Sequence, residues 1–135
     1  MAEDNPADVY MLDLALRESG ADFELEVAYT GKEALAFLEK EKDSGRPALA
    51  LILLDLNLPH HDGTDILRFV RREPSLSAVP TVLFTSSDSP KDRQNAMREG
   101  ASRFIRKPSL LKEYMAIGTT LRDMIEGQIR ADAAS

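Results

Sequence analysis

Apolar and polar residues follow two different spacings along this chain, and the spacing changes several times between its ends. In some segments apolar residues recur every three or four positions, as is typical of amphipathic helices. Between these segments lie short runs in which apolar residues alternate with polar ones or follow one another without a break. We therefore predict that helices alternate with strands along most of the chain.

Five segments have the spacing and the start signals of helices. Asn5 precedes Pro6, a favoured first helical residue, and Thr30 precedes Glu33 in a capping-box pattern. The other three helices are expected to start after Asp62, after Ser89 and at Pro108. The apolar residues expected on the buried faces include Val9, Leu12 and Leu16; Ala34, Leu35 and Leu38; Ile66, Leu67 and Val70; and, in the last helix, Leu110, Tyr114, Ile117, Leu121 and Ile125.

Four segments have the pattern of strands. Residues 23–29 alternate between apolar and other positions, which predicts a strand covered on one face. Residues 49–54 and 80–85 are almost continuously apolar, as is typical of parallel strands covered on both faces, and residues 103–106 form a shorter strand. Residues 43–47 predict a turn. Strands that alternate with helices indicate an α/β fold with a parallel sheet and right-handed crossovers.

Composition limits the class of protein further. The 135 residues suffice for one domain, and 43% hydrophobic with 30% charged residues is typical of a globular protein. No apolar run would span a bilayer and no secretory signal is evident, so we expect a cytoplasmic protein. The absence of cysteine excludes disulfides and thiolate metal sites. The formal charge of −6 argues against a nucleic-acid partner.

Polar residues suited to metal and phosphate chemistry fall at the predicted strand ends. They are Glu3 and Asp4 before the first helix, then Asp55, Thr85 and Lys107 after successive strands. Because the carboxyl ends of parallel strands meet at one edge of a sheet, we expect these side chains to converge. Clustered carboxylates require a cation, and without cysteine ligands Mg²⁺ is the expected one. The set suits phosphoryl transfer onto a carboxylate.

Four motifs together resemble the receiver domain of bacterial two-component response regulators. They are EDNPADV at 3–9, LILLDLNLPHHDG at 51–63, PTVLFTSS at 80–87 and EGASRFIRKP at 99–108. The resemblance covers essentially the whole chain and implies a flavodoxin-like, doubly wound parallel sheet of five strands in the order 2-1-3-4-5. The first motif and residues 75–80 are also similar to single-domain regulators that are associated with phytochromes and other hybrid kinases.

The resemblance implies a role for each site residue. Asp55 would be the phosphoacceptor, Lys107 would pair with the phosphoryl group and Thr85 would contact it. The implied Mg²⁺ ligands are Asp4, Asp55 and the backbone carbonyl of Asn57, with Glu3 reaching the metal through water. Thr85 and Phe104 would be the switch residues that respond to phosphorylation.

The implied function is a stand-alone phosphorylation switch and not an enzyme acting on other substrates. A sensor histidine kinase, phytochrome-like or hybrid, would donate the phosphoryl group, and a downstream protein or phosphotransfer partner would receive the output. Residues 1–135 would form a single receiver domain with a loose tail at 128–135, without a nucleic-acid or membrane partner. A homodimer through the fourth helix, fifth strand and fifth helix is one expected arrangement. Candidates for a partner surface are Met97, Phe104, Leu111 and Met115.

The start of the chain departs from the family pattern. Only residues 1–4 precede the first helix, which is too few for the apolar first strand in the middle of the sheet. We expect the sequence to begin within that strand, and the alternative is a sheet with a gap between its second and third strands. Such a gap would leave backbone groups unpaired and Asp4 poorly held.

Other functions remain open on the residues alone. A receiver that is never phosphorylated would act as a scaffold. A haloacid-dehalogenase-like phosphatase would need a second acid where Asn57 stands, and a flavodoxin-like FMN binder would need a phosphate-binding loop where Glu3 and Asp4 stand. His60 and His61 have no further ligand residues beside them and are expected in a solvated loop.

Overall fold

The structure of the protein is a computed structural model that describes residues 1–44 and 49–134, with side chains as far as residue 128. Its elements follow in the order α1 (Pro6–Glu18), α2 (Gly31–Asp43), β1 (Ile52–Leu54), α3 (Gly63–Arg72), β2 (Thr81–Thr85), α4 (Pro90–Arg98), β3 (Arg103–Arg106) and α5 (Leu111–Ala134). The predicted turn at 43–47 falls largely outside the described residues. In the part of the chain that the structure describes, no helix is long and apolar enough to cross a membrane.

The predicted start residues of the first four helices are their N-caps. The side chains of Asn5, Thr30, Asp62 and Ser89 accept hydrogen bonds from the backbone N–H groups of Ala7, Glu33, Asp65 and Asp92, respectively. These bonds satisfy donors that the first helical turn leaves without an intrahelical partner. Local sequence therefore determines where α1 to α4 begin.

The three strands form a parallel sheet in the order β1-β2-β3. Leu53 is in register with Val82, and Leu83 is in register with Phe104. Every residue of β1 and β2 is buried, as predicted for strands covered on both faces. The carboxyl ends of the strands meet at one edge of the sheet. Asp55 directly follows β1 at this edge, and Lys107 directly follows β3.

The first three residues lie beside β1, where the sequence suggested a gap. Ala2 forms parallel bridges with Ala28 on one side and Leu54 on the other. Its N–H donates to the Leu53 carbonyl over 2.8 Å, and its own carbonyl accepts from the Asp55 N–H over 3.0 Å. These bridges fill the gap at the carboxyl end of the sheet. The described residues before α1 nevertheless form no strand, as expected for so short a segment.

The predicted strand at 23–29 is wrong for most of its length. Among its residues only Ala28 forms a bridge, and that bridge is to Ala2. The Ala28 N–H donates to the Met1 carbonyl and the Glu3 N–H donates to the Ala28 carbonyl, each over 2.9 Å. A strand needs a neighbour of similar length, and residues 1–3 provide pairing for the end of this segment only. The alternation at 23–29 is real, but most of its backbone has no partner strand.

The helices cover both faces of the sheet. Leu53, Val82 and Phe84 point to the face covered by α1 and α5, whereas neighbouring Leu54 and Leu83 point to the face covered by α2, α3 and α4. This alternation divides the core into two clusters, one on each side of the strands. The predicted α/β architecture with a doubly covered parallel sheet is confirmed for the described residues.

The last helix differs from its prediction at both ends. It begins at Leu111, so Leu110 precedes the first turn and is 61% exposed, not buried as expected. Tyr114, Leu121 and Ile125 are buried as predicted. The backbone stays helical to residue 134, where a loose tail was expected. No proline follows Gly127, and the alanines at 131, 133 and 134 have the highest helix propensity.

Candidate functional site

Lys107 lies at the centre of a group of carboxylates at the carboxyl edge of the sheet. Its Nζ atom is 2.8 Å from Glu3 Oε2, 2.8 Å from Asp8 Oδ2 and 2.9 Å from Asp55 Oδ2. The ammonium group has three donors, and here it has three anionic neighbours. The structure thus brings together Glu3, Asp55 and Lys107, as the positions of the strand ends predicted.

The backbone of neighbouring strands positions this cluster. The Lys107 N–H donates to the Thr85 carbonyl over 2.7 Å, which attaches the residue after β3 to the end of β2. The Asp55 N–H donates to the Ala2 carbonyl over 3.0 Å. Residues 52 positions apart are therefore held together by the sheet before their side chains interact.

The loop after Asp55 is held by close backbone packing. The Asn57 N–H donates to Asp55 Oδ1 over 3.2 Å and so orients the carboxylate. The Gly63 N–H donates to the Leu56 carbonyl over 3.0 Å. A Cβ atom on Gly63 would lie 2.3 Å from the Asp55 carbonyl oxygen, so only glycine allows α3 to start so near the acid.

Burial dominates the electrostatics of Glu3. This side chain is fully buried, and burial raises its pKa from 4.5 to about 7, with the Asp55 charge adding to the rise. Lys107 and the Asn5 N–H, which donates to Glu3 Oε1 over 3.1 Å, oppose the rise. Glu3 Oε2 lies close to Lys107 but has no aligned hydrogen-bond donor. This buried oxygen therefore already lies beside one cation, the Lys107 ammonium group.

Lys107 is held in its charged form by the surrounding acids. Burial alone would lower the pKa of this ammonium group. Asp8, Glu3 and Asp55 outweigh burial and raise the pKa well above its usual value. Lys107 therefore keeps its positive charge beside Asp55.

Three of the acids are arranged to share one metal ion. Glu3, Asp4 and Asp55 each offer a carboxylate oxygen, and these oxygens lie within 4.8 Å of one another. Asp4 is exposed whereas the other two are buried. Oxygen donors of this kind suit a hard divalent cation such as Mg²⁺ or Mn²⁺. The three carboxylates therefore fit such an ion, and neither His60 nor His61, both exposed, belongs to the set.

The two predicted switch residues are both buried. Thr85 is fully buried at the end of β2, and its Oγ1 atom accepts a hydrogen bond from the Ser87 N–H over 3.3 Å. Phe104 is 9% exposed and lies under the Arg93 guanidinium, whose Cζ is 6.0 Å from the ring centre.

Two residues of the cluster were missed by sequence reasoning. The sequence motifs assign no role of its own to Asp8, and the apolar spacing predicts Tyr114 only as a core residue of the last helix. In the structure the Tyr114 hydroxyl donates to Asp8 Oδ1 over 2.9 Å, while Asp8 Oδ2 contacts Lys107. A buried tyrosine usually needs a partner for its hydroxyl group, which is the one signal that the sequence offered.

Comparison with known proteins agrees with this geometry. Residues 1–117 match the family of response regulator receiver domains. The chain belongs to this family, which consists of phosphoacceptor signalling modules rather than classical enzymes. The resemblance inferred from the four sequence motifs is confirmed, and with it the α/β receiver fold.

Individual relatives include regulators related to phytochromes. Response regulator Rcp1 of Synechocystis sp. is 37% identical over 93 residues, which are 68% of this chain and 63% of Rcp1. The crystal structure of the Mn²⁺-bound form of Rcp1 superposes with a TM-score of 0.78 at 30% identity, covering 89% of this chain and 87% of the other. The phosphorylated cyanobacterial phytochrome response regulator RcpA gives a TM-score of 0.79 at 31% identity, covering 90% and 88%. The expected likeness to phytochrome-associated regulators is therefore also confirmed.

Proposed function

We propose that Asp55 accepts a phosphoryl group from a sensor histidine kinase and that residues 1–135 act as a single receiver domain. The observation that carries the proposal is the position of the Asp55 carboxylate. Its side chain is 7% exposed, it lies 2.9 Å from Lys107 Nζ, and two further acids that can share a cation with it are within reach. A carboxylate in this setting is near both a fixed positive charge and a site for a divalent one.

The proposed reaction transfers a phosphoryl group between two nucleophiles. An Asp55 carboxylate oxygen forms a bond to phosphorus while the P–N bond of a phosphohistidine breaks, and the leaving imidazole nitrogen takes up a proton. Lys107 pairs with the phosphoryl oxygens and Thr85 donates its hydroxyl hydrogen to one of them. Both act mainly by positioning and by electrostatic stabilisation.

The proposed metal ion is Mg²⁺. Asp4, Asp55 and the Asn57 carbonyl would hold it directly, and Glu3 would reach it through water. When bound, it would neutralise charge on the phosphoryl group. The Mn²⁺ ion in the Rcp1 structure belongs to a protein with the same fold and supports a divalent site here.

The proposed output is a change in a protein-binding face. Phosphorylation would draw the Thr85 hydroxyl to the phosphoryl group, and Phe104 would respond to the space that Thr85 leaves. The face that changes would be formed by α4, β3 and α5, which correspond to the fourth helix, fifth strand and fifth helix of the five-stranded receiver. Exposed apolar residues on or next to these elements are Met97, Leu110 and Leu111. A downstream protein, a phosphotransfer partner or a second copy of the chain would bind there.

The proposed kinase is phytochrome-like or a hybrid kinase. RcpA is described as a phytochrome response regulator in a phosphorylated form, and this chain shares its fold at 31% identity. The likeness supports the type of donor.

The proposed function is tested by phosphorylation with a small-molecule donor. Acetyl phosphate and Mg²⁺ should add one phosphoryl group to the protein, detected by intact mass. Asp55→Asn should abolish the addition, whereas Asp123→Asn, at an exposed position on α5, should leave it unchanged. If the unsubstituted protein takes up no phosphoryl group from this donor or from a phytochrome-type kinase, the proposal is wrong and a scaffold function is favoured. A phosphoryl group on Asp55→Asn would show that another residue is the acceptor.

A further inference from the structure

Asp8 connects Lys107 to the last helix. One oxygen of its carboxylate lies 2.8 Å from Lys107 Nζ, and the other accepts a hydrogen bond from the Tyr114 hydroxyl over 2.9 Å. The side chains of Asp8 and Lys107 are 17% and 13% exposed, and Tyr114 is 6% exposed. The three residues form a continuous and largely buried polar chain from β3 through α1 to α5.

Asp8 differs from the other two acids that contact Lys107. Glu3 and Asp55 belong to the set of carboxylates that can share a metal ion, whereas Asp8 does not. A divalent cation would compete with the Lys107 ammonium group for Glu3 and Asp55, because each carboxylate oxygen has limited capacity for cations. Asp8 is free of this competition and would keep its contact with Lys107 when the metal binds.

Tyr114 fixes the position of Asp8 from α5. Its ring and that of Phe84 of β2 form a T-shaped contact, with the ring centres 6.2 Å apart and the planes at 69°. One turn further on, α5 packs closely on α1, where a Cβ atom on Gly118 would lie 2.4 Å from the Ala15 carbonyl oxygen. The hydroxyl group of Tyr114 therefore has little freedom to move away from Asp8 unless α5 itself moves.

We propose that Asp8 and Tyr114 are positioning residues that hold Lys107 at the phosphorylation site and couple its position to α5. The inference rests on the proposed role of Asp55 as phosphoacceptor. When the metal and the phosphoryl group occupy Glu3 and Asp55, Lys107 keeps Asp8 as its anchor. Any movement of Lys107 toward the phosphoryl oxygens then acts on Tyr114, and through it on the first turn of α5.

The test is a double-mutant cycle on the rate of phosphorylation by acetyl phosphate at saturating Mg²⁺. Asp8→Asn should slow phosphorylation by about tenfold, and Tyr114→Phe by about threefold, since each removes one link of the chain. In a Lys107→Gln background, where the rate is already low, neither substitution should slow it further. Glu18→Gln is the matched control, because it removes one negative charge from an exposed position on the same helix and should change nothing.

The cycle separates a positioning role from a structural one. Equal losses in both backgrounds would overturn the inference, because Asp8 would then act independently of Lys107, and no loss from Asp8→Asn would also overturn it. Circular dichroism shows whether Asp8→Asn folds. If it does not fold, the effect of Tyr114→Phe in the parent and in the Lys107→Gln background decides the question.

A second measurement keeps the inference testable if no phosphorylation occurs. Mn²⁺ affinity can be measured from the free ion by electron paramagnetic resonance. Asp8→Asn should weaken Mn²⁺ binding by about threefold or more in the parent protein and by clearly less in the Lys107→Gln background. A smaller loss of Mn²⁺ affinity in the Lys107→Gln background supports the anchoring of Lys107 by Asp8, even if Asp55 is not the phosphoacceptor. Equal losses in the two backgrounds reject the anchoring.

Discussion

The Lys107 ammonium group donates to Asp55 Oδ2 over 2.9 Å, although the two residues are 52 positions apart in the chain. The side chains are 13% and 7% exposed, so little solvent screens the pair. Glu3 and Asp8 complete the surroundings of the same ammonium group. The Lys107 ammonium group therefore balances three carboxylates. Removing it leaves buried negative charges without a cationic partner in the cluster.

The first prediction concerns the loss of this cation. Lys107→Gln should lower the free energy of unfolding at pH 7 by about 2 to 4 kcal/mol, because unpaired acids remain buried. Saturating Mg²⁺ should restore part of that loss, since the metal can neutralise Glu3 and Asp55. Urea denaturation with and without Mg²⁺ measures both effects. The matched control is Lys112→Gln at an exposed position on α5, which should change stability by less than about 0.5 kcal/mol. A variant as stable as the parent would contradict the central role of Lys107.

The second prediction concerns pH. The pKa of Glu3 rises from 4.5 to about 7 on folding, so the folded state favours the protonated carboxyl group. Its contribution to stability is complete below pH 4.5 and is lost as the pH rises through 7. Glu3→Gln resembles the protonated form at every pH. Its stability relative to the parent should therefore rise between pH 4 and pH 8, by on the order of 2 to 3 kcal/mol.

The comparison must be made at each pH because the Met1 amino group contributes the opposite slope. Burial lowers the pKa of this group from 8.0 to about 6, so its contribution is lost as the pH falls through 6. The difference between variant and parent cancels the Met1 contribution. Urea denaturation in metal-free buffer gives the profile, and a difference that stays constant across the range would show that Glu3 is not protonated in the folded state near neutral pH.

The third prediction compares two glycines of α5. Gly118→Ala should destabilise the protein by about 1 to 3 kcal/mol, because the new Cβ would lie 2.4 Å from the Ala15 carbonyl oxygen. At Gly127 a Cβ atom would meet nothing within 4 Å, so Gly127→Ala should stabilise the helix by about 0.5 to 1 kcal/mol. Thermal unfolding followed by circular dichroism measures both. Equal effects of the two substitutions would mean that α1 and α5 are not in close contact at Gly118.

Much of the site could be predicted from local sequence. Asp55 comes directly after an almost continuous apolar run and Lys107 after the shorter strand at 103–106. Parallel strands bring such residues to one edge of the sheet. Their convergence follows from that topology. Asp8 and Tyr114 could not be predicted in the same way. Their contact depends on how α1 packs on α5, and a helical spacing of apolar residues does not determine which polar groups meet across two helices.

At the start of the chain, local sequence predicted a strand that the structure does not contain. Residues 23–29 have the spacing of a strand, but strand formation depends on a partner, and among these residues only Ala28 forms a bridge, to Ala2. Residues 1–3 have no pattern of their own because they are too few to show one. Their position between Ala28 and Leu54 is set by backbone hydrogen bonds to neighbours distant in sequence. Pairing of this kind is visible only in the folded chain.

The last prediction concerns these N-terminal hydrogen bonds. Ala2→Pro removes the N–H group that donates to the Leu53 carbonyl over 2.8 Å. It should lower the free energy of unfolding by about 2 kcal/mol or more, because a buried carbonyl loses its donor. It should also weaken Mn²⁺ binding, because Glu3 and Asp4 directly follow and depend on this pairing for their position.

Ala2→Gly is the matched control, because it keeps the N–H group and removes only the methyl group of a residue that is 4% exposed. Its loss of stability should stay near 1 kcal/mol, and its Mn²⁺ affinity should remain close to that of the parent. Urea denaturation and electron paramagnetic resonance of free Mn²⁺ compare the three proteins. If proline and glycine at this position have the same effect on metal affinity, the backbone pairing of Ala2 does not hold the acids in place, and the acids must be positioned by α1 alone.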